Sequence, residues 1–571
     1  MHNMSPIRVW KVLAFFVVLS LVIYSNSFSN PFHYDDYHHI AGNPSLKKLS
    51  FIPSYFTDTK TFSQNPDVKH YRPLLLTTYA LNYLFNDLNP AGYRLVNLGF
   101  HAGSAFLIFL IVSTITSSFF AALAAGLIFL TQPFNSEVVN YISARSTVMC
   151  SFLYMLAFYF WVKYREQGAL STTYYLASLF VFISALLTKE IAITLPPIIF
   201  LYDLCFTRDE MTKKPIKIMK NILSYIPYFV IAVIPYSLTT IMLFKHKLLH
   251  IVQRPFLSQG STEVVVMIKY IRLMILPYGL TIYHDMPVYT TLNPVVILSG
   301  IIILIILAAA IILLFKTSAK EMQLISFMVF WFFVVMLPTS IISLNVLLQE
   351  NRGYLSAVSF AVIAGIGFGM VNKRYKYPAV ILLVILSIAY AGTTYARNMV
   401  WKDAITLWSD TISKNPSLET GYINLSMAYQ SKNMLTESVA ELRKLISIKP
   451  DSYQAHKNLG WIYKSQDNFP MAFEELEKAV SIKPEDAVLH NDLGALYYEK
   501  KMFAPSEQHL LKAIGLDPDY TAPHLNIGLL YTAQGKYEYA ESQFRNILTI
   551  DPNNLPAARM LRMLNSVKKR S

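Results

Sequence analysis

From about residue 9 to residue 396 the chain is a succession of apolar runs, near 9–29, 94–115, 119–133, 147–163, 172–188, 191–206, 222–243, 293–315, 323–345, 354–371 and 378–396. About eleven such runs leave few folds open, because inside a bilayer every backbone polar group must be satisfied within its own segment, which a helix achieves with local bonds. Hydrophobic residues make up 54% of the 571 positions and charged residues 15%, more apolar surface than one soluble core can hide. From Trp401 onward Lys, Glu, Asp and Asn become frequent and the pattern is that of water-soluble helix. The expectation is an all-α protein of two domains, a polytopic membrane domain over 1–396 and a soluble domain over 397–571. The first run, Val9 to Phe28, lacks a small-x-small cleavage pattern in Ser25–Asn30 and reads as a retained anchor.

The net charge of +14 does not point to nucleic acid, because the basic residues sit in short clusters between apolar runs. With a cytoplasmic N-terminus at Arg8, the loops expected on the same side hold Lys163/Arg165, Arg208/Lys213/Lys214/Lys217/Lys220, Lys316/Lys320 and Lys373/Arg374/Lys376, as the positive-inside rule requires. An odd number of crossings then puts the soluble domain outside. The Asn30–Tyr71 loop, Arg145, Lys189, the Glu263–Pro287 segment and Glu350 share that side. Leu74–Phe85 and Val264–Leu280 read as interfacial or re-entrant segments of the outer face. Cys150 and Cys205 both lie in apolar segments and form neither a disulfide framework nor a metal knuckle.

In the soluble domain proline recurs at 416, 450, 484, 518 and 552, a step of 34 that is the period of the tetratricopeptide repeat. The same step links Leu425, Leu459, Leu493 and Ile527; Gly460, Gly494 and Gly528; and Tyr429, Tyr463, Tyr497 and Tyr531. Small residues, Ser438, Ala472, Ser506 and Ala540, hold the position where two helices must approach closely. Stacked helix pairs of this kind form an α-solenoid whose concave face binds extended peptide, so a protein acceptor or partner is expected there. Bracing of the membrane domain is the plainer alternative.

Ionisable residues at span ends are costly to keep and are read first as functional candidates. Asp35 and Asp36 follow the first run, where a carboxylate can take the proton of an attacking hydroxyl. The neighbouring His33, His38 and His39 lack a metal-ligand spacing and read as solvated loop residues. Further along the outer side stand Arg72, Arg94, Glu137, Arg145, Lys189, Glu190, His284, Asp285, Glu350 and Arg352. A phosphate-bearing ligand there requires at least one of these cations. His101, inside a span, reads as a helix-to-helix hydrogen bond.

These strings resemble the transmembrane and tetratricopeptide-repeat, O-mannosyltransferase-like family of GT-C membrane glycosyltransferases. The resemblance runs through Asn30-Pro31-Phe32-His33-Tyr34-Asp35-Asp36, Tyr71-Arg72-Pro73-Leu74, Tyr93-Arg94-Leu95-Val96-Asn97, Gln132-Pro133 to Ala144-Arg145-Ser146, Lys189-Glu190, Glu350 to Tyr354, and Arg397-Asn398 to Leu407-Trp408. It implies a GT-C-like domain over 1–396 and an inverting transfer of a sugar, mannose favoured, from a polyprenyl- or dolichyl-phosphate donor to a protein hydroxyl. It lays the catalytic acid on Asp35 or Asp36, with Asp35 preferred, and the donor phosphate on Arg145, Lys189 and Arg352. Arg72, Arg94, Glu137, Glu190, His284, Asp285 and Glu350 take supporting roles. About four or five repeats suit a compact bacterial relative with periplasmic repeats, against an endoplasmic reticulum protein with lumenal ones. No cofactor is called for, and the lack of a further Asp-x-Asp motif argues against a required divalent metal. Two other readings stay open: transfer to a lipid or glycan acceptor, and a non-enzymatic membrane-anchored repeat scaffold. Transport is weaker, since the charges sit at span ends rather than mid-span.

Overall fold

A computed structural model describes residues 6–65, 70–166, 172–207, 222–233 and 254–568. The expected basic loop with Arg208, Lys213, Lys214, Lys217 and Lys220, the second half of the 222–243 run and the Arg8 side chain lie outside the described residues. The described residues are mainly helical with no strand among them, and the chain is a multi-pass, all-α membrane protein with helical repeats. Two compact units are present, Met1–Lys414 and Asn415–Ser571.

Each apolar run contains a helix over its described residues, and some helices end before the run does, as Lys320–Ile341 does in the run 323–345. Six helices among them are long and apolar enough to cross a bilayer: Pro90–Thr116, Ile142–Glu166, Pro294–Lys316, Lys320–Ile341, Glu350–Arg374 and Lys376–Val400. The pair Phe119–Thr131 and Pro133–Asn140, bent by 54° at Gln132, makes a seventh if it is one broken span. The expected count of about eleven otherwise rests on short helices such as Val9–Ile23, Thr172–Leu186 and Leu195–Phe206. Leu195–Phe206 rises only about 18 Å, against a hydrocarbon core of about 30 Å. A hydropathy window cannot see the backbone break at Lys189 that precedes it. Pro294–Lys316 buries only 17% of its most apolar stretch, an outward apolar flank suited to lipid.

Close packing in the membrane unit depends on small residues, as it must where lipid competes equally well for apolar side chains. Gly365 and Gly369 of the Tyr354–Arg374 helix face Ala125 and Ala121 of Phe119–Thr131. A Cβ at Gly365 would stand 2.6 Å from the Ala125 backbone nitrogen, while one at Gly367 meets nothing within 4 Å. Gly365→Leu is therefore expected to destabilise by at least the ~1–3 kcal/mol of an overpacked core, and Gly367→Leu to leave thermal unfolding in detergent unchanged. Equal melting of the two variants would contradict this close approach.

The loop from Asn30 has its own core. Phe32, Ile40, Leu46, Tyr55 and Phe62 pack on Leu75, Leu76 and Tyr79 of the helix Pro73–Asn86. The far end of that helix leaves Leu84 and Phe85 exposed, at 54% and 78%.

The second unit is a stack of helix pairs, from Glu419–Ser431 with Leu435–Ile448 to Thr521–Ala533 with Tyr537–Ile550, closed by Leu555–Lys568. Leu425, Leu459, Leu493 and Ile527 are buried, as are the small residues at 438, 472, 506 and 540. Gly460, Gly494 and Gly528 each lie against the next helix, with Leu476, Leu510 and Phe544 in the space a Cβ would need. Where Ser426 replaces the glycine, its hydroxyl pairs with Ser438 at 2.8 Å, so the buried polar group is satisfied. The recurring proline ends the second helix of each pair, and its carbonyl accepts from a histidine six residues on: His456, His490 and His524 donate through Nε2 at 3.2, 3.0 and 3.1 Å to Pro450, Pro484 and Pro518.

Candidate active site

The segment Asn30–His39 is a hook fixed at several points. Arg94, fully buried, donates to the carbonyls of Asn30 and Pro31 and, at 3.1 Å, to that of Asn140. His33 is 2% exposed rather than solvated, and its Nε2–H donates to the Trp401 carbonyl at 2.7 Å. Burial pushes its imidazole down to about 4, so the ring is neutral at pH 7. Asp36 is fully buried. One carboxylate oxygen accepts from the Ser143 N–H at 2.7 Å and hydroxyl at 2.6 Å, and the other from the His33 N–H at 3.0 Å. Burial pushes its carboxyl up to about 6 against the pull of those bonds.

Asp35 points the other way and keeps 35% of its side chain exposed. The Tyr141 hydroxyl donates to Oδ2 at 2.5 Å, and His38 Nε2 lies 3.1 Å from Oδ1, with its Nδ1 on Ser63 at 3.0 Å. The carboxylate is thus oriented from two sides and open on a third. Tyr34, just before it, has φ +46°, a region a bulky side chain enters only when its surroundings hold it there.

The cations divide into two groups. Arg72 makes a bidentate pair with Glu190, the shortest bond 3.0 Å. Lys189 Nζ reaches Thr147 Oγ1 at 2.6 Å, and burial, then the neighbouring Arg72 and Arg352 charges, push its ammonium down to about 8. Arg352 donates to the Val346 carbonyl. Arg72, Lys189 and Arg352 therefore share one neighbourhood. It joins the hook through His38, His39 and Phe62, whose rings follow one another at 4.2 and 4.8 Å, with Arg72 over Phe62.

Arg145 is not brought to that group. It is fully buried over the Tyr79 ring, and its guanidinium donates to Asn97 Oδ1 and the Tyr93 carbonyl, both at 2.8 Å, and to Thr78. The remaining acids are structural in their geometry. Glu137, fully buried, accepts from the Asn351 side chain at 2.7 Å. Glu350, also fully buried, takes the Thr281 N–H, His284 at 3.1 Å and Arg397 at 3.3 Å, and Arg397 continues to Asp410 at 3.6 Å. Asp285 is exposed. His101 bonds Tyr354 and the Leu130 carbonyl. Among the described residues no group of three or more His, Cys, Asp or Glu side chains is arranged to hold a metal ion.

Sequence reasoning passed over Tyr141, Ser143, Tyr283 and the part played by Tyr34 and His38. Trp401 and Trp408 were visible only as members of a familiar string. Trp401 stacks on Tyr141 at 5.9 Å, and Trp408 on Tyr283 at 5.9 Å.

The tetratricopeptide-repeat family model matches residues 420–452, 453–486 and 523–554. The repeats are tetratricopeptide repeats. The chain is also similar to the protein O-mannosyl-transferase Tmtc1 of Drosophila melanogaster, 31% identical over 188 residues, which is 31% of this chain and 21% of that protein. It is 28% identical to human protein O-mannosyl-transferase TMTC1 over 34% of this chain and 24% of that one. The resemblance read from the sequence is borne out. The matches span only about a fifth to a quarter of these curated relatives, 21% and 24% of their length. Among solved structures, the chain aligns with pilF of Pseudomonas aeruginosa at 26% identity, covering 26% of this chain and 69% of that one with a TM-score of 0.25. YrrB, a TPR protein with an unusual peptide-binding site, aligns at 22% identity, covering 29% and 86% with a TM-score of 0.26.

Proposed function

We propose that the chain is an inverting membrane glycosyltransferase that moves a sugar, mannose favoured, from a polyprenyl- or dolichyl-phosphate donor to a hydroxyl of a protein acceptor. The observation that carries this reading is Asp35, half-exposed and oriented by Tyr141 and His38, beside a neighbourhood holding Arg72, Lys189 and Arg352. The similarity to protein O-mannosyl-transferases supports mannose as the sugar and a protein hydroxyl as the acceptor. Asp35 takes the proton from the acceptor hydroxyl, the oxygen bonds to the sugar C1, and the C1–O bond to phosphate breaks with its electron pair leaving on polyprenyl phosphate. Lys189 and Arg352, with Arg72 nearby, receive the charge that grows on that phosphate. Asp36, Arg94 and Arg145 hold the loops, and Glu137, Glu190, His284, Asp285 and Glu350 support them.

The membrane portion, 1–396, is the transferase domain in this reading. The repeats, 397–571, lie on the non-cytoplasmic side, periplasmic in a bacterial inner membrane, and dock the acceptor or a partner. Purified protein with a panel of polyprenyl-phosphate sugars and acceptor proteins should release polyprenyl phosphate. No release with any donor would remove the transferase reading.

The Lys189 ammonium gives the reaction a pH signature. Below about 8 it is charged and attracts the donor phosphate; above about 8 it is neutral. kcat/KM for the donor, which follows the free enzyme, is expected to fall as pH rises through about 8, and Lys189→Arg to move that limb upward. A limb unmoved by the substitution would take Lys189 out of the phosphate site.

A further inference from the structure

Tyr34 is the most strained residue of the hook and stands beside the proposed base. Its φ of +46° is kept by two aromatic contacts, with Tyr283 at 6.2 Å and 84° and with Trp408 at 6.2 Å and 67°, and by a hydrogen bond between its hydroxyl and that of Tyr283. Tyr283 and Trp408 stack on one another and are 7% and 4% exposed, whereas Tyr34 remains 42% open. A large ring is thus held out of the core, in an unfavourable backbone conformation, by two rings that are themselves buried. Packing alone gives no reason for this, since a glycine would adopt the same backbone without strain.

The placement supplies a reason. Tyr283 lies within electrostatic range of both Asp35 and Arg352. In an in-line displacement the attacking oxygen and the leaving phosphate sit on opposite sides of C1, so the sugar ring must lie between the base and the phosphate-binding cations. Tyr34 directly precedes Asp35 in the chain, and its ring contacts Tyr283, which neighbours both Asp35 and Arg352. A pyranose ring presents an apolar C–H face that packs against an aromatic ring while its hydroxyls stay free for polar partners.

We propose that Tyr34 is the platform for the donor's sugar ring, backed by Tyr283 and Trp408, so that the strained turn placing Asp35 also fixes the sugar against it. The proposal rests on the transferase reading above. It assigns sugar recognition to an aromatic residue next to the base and leaves lipid and phosphate recognition to other parts of the site.

The test is equilibrium binding of undecaprenyl phosphate and of undecaprenyl-phosphate mannose to full-length protein in detergent. Tyr34→Gly removes the ring at a backbone position that glycine accepts freely. It is expected to weaken the mannosyl lipid by about tenfold, roughly the worth of one aromatic contact, and to leave undecaprenyl phosphate unchanged. Tyr34→Phe, which keeps the ring and loses only the hydroxyl bond, should bind both like wild type. Unchanged binding of the mannosyl lipid by Tyr34→Gly, or equal weakening of both lipids, would overturn the platform while leaving the transferase reading in place. Binding of neither lipid by wild type would overturn both.

Discussion

Asp35→Asn is expected to lower transfer by about a hundredfold to ten-thousandfold, the range for removal of a positioned general base, with little change in thermal unfolding. The amide keeps the shape, so the Tyr141 hydroxyl still has an oxygen to donate to, but no basic lone pair faces the acceptor. Asp36→Asn should behave in the opposite way. Its carboxylate is buried and receives three donors from His33 and Ser143, and an amide must turn an NH2 toward at least one of them. That conflict costs about 1–3 kcal/mol and should appear as a lower melting temperature, with chemistry lost only as the loop loosens. Measuring polyprenyl phosphate release and melting on both variants separates the roles. Full turnover by Asp35→Asn would move the base elsewhere.

The second large effect concerns the buried charges behind the loops. Arg397→Ala should destabilise the membrane unit by about 3–5 kcal/mol, the penalty for leaving a buried partner uncompensated. Glu350, fully buried, would keep only His284 and the Thr281 N–H, and Asp410 would lose its link to the last membrane helix. The readout is the fraction remaining monodisperse after heating in detergent. The double variant Glu350→Gln/Arg397→Gln should recover part of the loss, because the deficit comes from the stranded carboxylate. Stability of Arg397→Ala equal to wild type would show that water reaches Glu350.

The repeat unit was legible almost completely, since a period of 34 constrains which residues are apolar, small or helix-ending at once. What escaped was why proline stands where it does. His456, His490 and His524 share the period, but their partner is a backbone carbonyl, which leaves no trace in side-chain patterns. In the membrane unit apolar runs located the helices, and six or seven spans among the described residues are long and apolar enough to cross; a sum of hydropathies does not register breaks such as the one at Lys189. Arg145 illustrates the limit for site residues. A cation among apolar neighbours suggests a ligand, but its acceptors come from Thr78, Tyr93 and Asn97, and only the folded chain brings them near. Asp35 and Asp36 are adjacent and chemically identical. Their different exposure is decided by Ser143 and Tyr141, more than a hundred residues away.

The tie between His33 and Trp401 joins residues 368 apart. Ribosomes deliver the loop from Asn30 early, whereas its support around Trp401 and Trp408 emerges only after the last apolar helix has been made. During synthesis the nascent membrane unit therefore carries its acidic hook without the aromatic floor beneath it. Chains that stop before that point lack the carbonyl that His33 bonds, so this end of the loop is pinned only after the last apolar helix has been made.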